Sequence, residues 1–148
     1  LSVHDYLAPK VDYVATDLQP VATVIAGLDV DIMETEHSMD CFGYRLSGPN
    51  GTLTLSGDGI ATERMAQFAD GSDVLVHDCS FPDGTQATNH PTPEQLGPVL
   101  AGTDLGRVLL THLYPAAAAA ATDLRETVGD HVDAPVDVLP DQTTISVQ

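Results

Sequence analysis

Val74-Leu75-Val76-His77-Asp78 and Val108-Leu109-Leu110-Thr111-His112-Leu113 decide how this chain folds. Each is a short apolar run that ends in a histidine. Runs this short, rich in β-branched residues and leucine, read as buried strands. Helical windows surround them at Ala61–Ala69, Pro93–Ala101 and Ala116–Val128. Alternating strand and helix predicts a sheet with helices packed on one face. Open α/β sheets collect ligands beyond the C-terminal ends of their strands. His77-Asp78 and His112 stand at such ends.

Toward the N-terminus the pattern changes. Strands are expected at Val11–Val14, Val21–Ala26, Leu28–Met33, Phe42–Leu46 and Thr52–Leu55, with no helix between them. Asn50-Gly51 between the last two is a hairpin signal. Two short strands, Val136–Leu139 and Thr144–Val147, are expected to close the chain. Thr92 before Pro93 predicts an N-cap followed by proline at the first helical position. Gly129 is the expected stop of the third helix. The β-rich first 35 residues have no visible partner layer. Another segment, absent from these 148 residues, or a second subunit such as a homodimer partner, is expected to cover the sheet.

The length suits one domain or half-domain over residues 1–148. Five Lys and Arg stand against 22 Asp and Glu, a net charge of −17. Such an excess repels itself, and salt near ~1 M shortens the Debye length to about 3 Å and removes most of that cost. The expectation is a protein that works in concentrated salt, as in a halophile cytoplasm; the alternative is a basic partner. Either way a broad phosphate-binding surface is excluded, while a small phosphate-containing substrate is not. No run of about 18 apolar residues occurs, so no membrane span is expected. No signal-peptide pattern occurs either, so a cytoplasmic location is expected. Cys41 and Cys79 form no CxxC and are expected as free thiols.

Four windows carry the chemistry: Glu36-His37-Ser38, Ser56-Gly57-Asp58-Gly59, Asn89-His90-Pro91-Thr92 and Leu110-Thr111-His112-Leu113. Histidine and aspartate delivered by strand ends to one sheet edge commonly cage a divalent metal. Each window alone also fits a plainer reading: Asp58 an Asp-Gly turn, His112 a satisfied polar residue, His90 a residue beside a helix cap. Their order along the chain raises the joint reading above its parts.

From Met33 to Val147 the chain resembles the C-terminal half of the metallo-β-lactamase superfamily, in its ribonuclease Z-like branch. His37 before Phe42-Gly43-Tyr44-Arg45 resembles the family's lone zinc-binding histidine. Gly57-Asp58 resembles the metal-bridging aspartate, with Gly59 where threonine is usual. His77-Asp78-Cys79-Ser80 resembles the His-Glu-Ala-Thr motif, with Asp78 for glutamate. His90-Pro91-Thr92 resembles the His-Ser-Thr motif, and His112 the last zinc-binding histidine. The resemblance implies an α/β (α+β) fold, half of an αββα sandwich, with a mixed sheet and helices on one face. It also implies a di-zinc hydrolase of phosphodiester or related ester bonds, with manganese as the alternative metal. His37, Asp58 and His112 would bind metal; His90, oriented by Asp78, would be catalytic.

Two departures bear on this. The family's His-x-His-x-Asp-His motif, which supplies further ligands, does not occur in the 148 residues. His37 and Asp58 are 21 positions apart, too close for the basic arm with which ribonuclease Z grips tRNA, so tRNA is not an expected substrate. The isolated chain is expected to be inactive. The alternative reading is a non-catalytic interaction subunit with an incomplete metal site.

Overall fold

The computed structural model describes residues 22–147. Seven strands form one sheet in sequence order. They are β1 (Thr23–Ile25), β2 (Leu28–Glu34), β3 (Phe42–Gly48), β4 (Gly51–Leu55), β5 (Val74–Asp78), β6 (Val108–Thr111) and β7 (Val136–Asp137). The first four pair antiparallel, and β4 to β7 pair parallel. The sheet is therefore mixed, as expected. The change of sense falls where the connections lengthen from tight turns to helical crossovers, since a parallel neighbour needs a crossover.

The helices are α1 (Glu63–Ala69), α2 (Pro93–Leu100), α3 (Pro115–Ala119) and α4 (Ala121–Gly129). Leu75, Val108 and Leu110 from the sheet pack with Leu96, Leu100, Leu124 and Val128 from the helices in one buried cluster. Six of these seven side chains are at most 1% exposed, and Leu110 is 3% exposed. Register places Val30, Leu46, Leu53 and Val74 in one row, and Ile32, Tyr44, Leu55, Val76 and Leu109 in the next. These rows lie on the sheet's opposite face, because side chains alternate along a strand.

The expected start of α2 holds for a physical reason, and further contacts close the ends of α1. Thr92 is the N-cap of α2 with Pro93 behind it, and its N–H donates to Oε1 of Gln95. Thr62 caps α1 by accepting from the Met65 N–H. Arg45 closes the other end of α1, donating to the Phe68 and Asp70 carbonyls, where the helix dipole favours a cation. The β3–β4 hairpin turns at Pro49-Asn50, one residue before the expected Asn50-Gly51 pair, and Gly51 already pairs with Gly48.

Two expectations are corrected. Ala116–Val128 is two helices, broken at Ala120, whose φ of −105° leaves the helical range. The alanine run has no side chain large enough to set a register on the sheet, so Leu124 and Val128 anchor α4 independently of α3. Thr144–Val147 is not a strand. A turn from Pro140 to Thr143, with Gln142 at a φ of +63°, precedes it, and Val147 packs at Gly51 instead. The expected strand Val11–Val14 and the start of the Val21–Ala26 run lie outside the described residues. Among the described residues no helix is long and apolar enough to cross a membrane.

Candidate functional site

The loops after β2, β4, β5 and β6 and the segment before α2 converge at one sheet edge. The loops are tied to one another. The Ile60 N–H donates to the Glu36 carbonyl at 3.0 Å, and Thr35 Oγ1 donates to the Asp58 carbonyl at 2.7 Å. These bonds draw the Asp58 turn against the His37 loop. Gly57, at a φ of +65°, makes that turn; a Cβ there would collide with the Phe42 carbonyl.

Three imidazoles form a row. His90 stands between His37 and His112, with ring centroids 5.0 Å and 4.9 Å away. Asp58 closes the row beside His112, with Oδ1 3.8 Å from Nδ1. Each ring meets a neighbour through the same nitrogen. Nδ1 of His90 donates to Asp78 Oδ2 at 2.8 Å. Nδ1 of His112 lies 2.9 Å from Ser80 Oγ. Nδ1 of His37 lies 3.6 Å from Cys41 Sγ. Holding one ring nitrogen orients the ring, and among the described residues no Nε2 of the three has a hydrogen-bond partner. The Nε2 of His37 is buried with no hydrogen-bond partner.

Backbone strain marks the same place. His112 takes a φ of +56°, a left-handed conformation that costs about 1–3 kcal/mol in a non-glycine residue. Without that turn the chain leaving β6 would not present the imidazole to the row.

The electrostatics are unbalanced. Asp78 is 1% exposed, and its Oδ1 has no partner. Its Oδ2 also accepts from the Gly59 N–H at 3.2 Å. Among the described residues neither Asp58 nor Asp78 pairs with lysine or arginine. Burial, then the carboxylates of Asp58, Asp40 and Asp78, push the Cys41 thiol up. Carboxylates gathered without a cation, beside histidines with free Nε2 atoms, are a donor set that fits a divalent ion. His77 differs. It is buried on the helix side with Nδ1 donating to the Asp78 carbonyl, and burial holds it below the usual histidine range. Burial also pushes the Cys79 thiol up to about 12; both cysteines are free.

All five residues singled out from the sequence, His37, Asp58, Asp78, His90 and His112, thus lie at this edge. The tightest group of potential donors differs from the expected set: Asp78, His90 and His112 offer atoms within 4.8 Å of one another. Asp78 Oδ2 is already engaged by His90 and Gly59, which fits a carboxylate that orients its neighbour. Sequence reasoning gave Ser80 and Cys41 no role at the site. The signal for Ser80 was its place in His77-Asp78-Cys79-Ser80, two residues past the strand end at Asp78.

The backbone decides the family of folds. Over 82% of this chain and 50% of that one, the structure superposes on a metallo-β-lactamase-fold protein from Bacillus subtilis with a TM-score of 0.73 at 20% identity. This chain has a metallo-β-lactamase fold. Its sequence is ribonuclease Z-like: it is 28% identical over 92 residues to a ribonuclease Z of Haloarcula marismortui. It is 26% identical over 104 residues to a ribonuclease Z of an Exiguobacterium species. The matched regions cover 60% and 55% of this chain but 30% and 35% of those proteins. The chain therefore spans about a third of the length of the curated relatives it matches. No protein-family model matches the sequence.

Proposed function

We propose that this chain is one part of a metal-dependent hydrolase of phosphodiester or related ester bonds. The observation that carries it is the row of three imidazoles, each met at Nδ1 and, among the described residues, free at Nε2, beside carboxylates that pair with no lysine or arginine there. His37 and His112 would each bind one zinc and Asp58 both, with manganese as the alternative. Bound metal would lower the pKa of a water toward neutrality and polarise a substrate oxygen. His90 then acts as the proton donor to the leaving oxygen, its ring and tautomer held by Asp78. Leu46, Leu53, Leu55 and Val76 of the apolar rows are only half-buried, and a further segment, or a second subunit, would pack there.

The test is hydrolysis by the full-length enzyme supplied with zinc or manganese. A small phosphodiester should be cleaved, and precursor tRNA should be processed poorly. A tRNA needs a cationic surface that releases many counterions; this chain has five cationic side chains and −17 net charge. Efficient tRNA trimming, or no hydrolysis of any ester, would sink the reading. The second reading, a non-catalytic interaction subunit, draws its support from the absent His-x-His-x-Asp-His motif, and it predicts the inactive outcome.

We further propose that the protein works in the cytoplasm, in concentrated salt. The charge has little internal compensation: Arg107–Asp137, at 3.7 Å, is the sole arginine–carboxylate contact among the described residues. The melting temperature should rise from dilute buffer to molar potassium chloride as repulsion is screened. A flat or falling profile would refute the halophilic adaptation.

A further inference from the structure

We propose that Tyr114, braced by Phe81, is a stacking platform for a planar ring carried by the substrate. The inference rests on the reading of the histidine row as a phosphoester site. Among the described residues four large apolar side chains are exposed: Val24, Ile25, Met39 and Tyr114. Val24 and Ile25 belong to the edge strand β1. Met39 and Tyr114 each follow a histidine of the row, His37 or His112, by two residues, so apolar surface stands at both ends of a polar site.

Tyr114 is the better placed of the two. Its ring centroid is 5.6 Å from that of His112 and 6.1 Å from that of His90. It is tilted by 66° and 54° to them, so it stacks on neither. Phe81 meets it edge to face at 4.9 Å, an arrangement aromatic pairs favour. The Tyr114 N–H donates to the Ser80 carbonyl at 3.1 Å, and Pro115 follows directly. The ring is thus held in place while the residue is 43% exposed, and an ordered aromatic pays little entropy on meeting a ligand.

The charge of the chain says why such a platform would matter. A net charge of −17 disfavours the approach of a phosphate. Affinity must then come from the uncharged part of the substrate. A π-face offers it to any planar ring, nucleobase or aryl, and stacking is tolerant of ring identity.

Binding can be measured by titration calorimetry on the full-length enzyme supplied with zinc, using inorganic phosphate, ribose 5-phosphate, phenyl phosphate and adenosine 5′-monophosphate. The two ring-bearing phosphates should bind about tenfold tighter than ribose 5-phosphate, within the range of a single stacked ring. A lead of adenosine monophosphate over phenyl phosphate would assign the platform to nucleobases; parity would assign it to aryl groups generally. Tyr114→Ala should erase the preference with the melting temperature unchanged, and Tyr114→Phe should keep it. Inorganic phosphate binding with no ring preference, or a preference that survives in Tyr114→Ala, would overturn the platform alone. Failure of every phosphate to bind would overturn the phosphoester reading, and the platform with it.

Discussion

Replacing His90 with alanine should lower turnover of a small phosphodiester by about 10²–10⁴-fold, the range of a general acid, and leave the zinc content of the enzyme unchanged. The ring sits mid-row, 10% exposed, with Nδ1 on a carboxylate that is itself 1% exposed. That pairing makes Nε2 the only nitrogen free to meet a substrate. Asp78→Asn should act in the same direction, because an amide in place of the carboxylate no longer fixes the tautomer. Measured together, the two variants separate the competing assignments of Asp78. If Asp78 orients His90, Asp78→Asn loses turnover and keeps its metal. If Asp78 joins His90 and His112 as a ligand, metal is lost in step with turnover. An active His90→Ala enzyme would reduce His90 to a structural residue at the start of α2.

Zinc uptake by the 148-residue chain should be weak, and weaker again when the support of His112 is removed. On the proposed reading, His37, Asp58 and His112 shared over two ions would leave each short of the four ligands of a closed site. Ser80 is fully buried and lies 2.9 Å from Nδ1 of His112. Ser80→Ala should weaken zinc binding by about 10–100-fold, as expected on losing a partner that orients a ligand. His112→Ala should cost at least as much. Competition against a chromogenic chelator reads both. Tight, stoichiometric zinc in the unaltered chain would show that further donors, with Asp78 the first candidate, complete a site here. Equal affinity in Ser80→Ala and the unaltered chain would show that the left-handed turn at His112 positions the ring unaided.

Much of the fold was legible because local and global preferences agree. Val74–Val76 and Val108–Thr111 are too short and too apolar to be anything but buried strands. The Thr92-Pro93 start of α2 follows from capping chemistry alone. The failures share a cause. The alanine run could not show its break at Ala120, because alanine favours a helix wherever tertiary packing allows and dictates none of that packing. Thr144–Val147 has strand composition, yet composition supplies no partner, and the Pro140–Thr143 turn carries it away from the ladder.

The sequence by itself determined which residue types reach the site and in what order: His37, Asp58, Asp78, His90 and His112, each beside a strand end or a helix start. It also determined the net charge of −17. Only the tertiary structure decided which atoms of those residues are free. Ser80 and Cys41 had no contact assigned from the sequence, and each meets an Nδ1 only once the sheet edge assembles; Asp78 beside His90 is the contact that the family resemblance named. The φ of +56° at His112 and the unpartnered Nε2 of His37 arise at the same step. A ligand atom is defined by what its ring's other nitrogen touches, and that is a property of neighbours in space, which a linear order of residues does not specify.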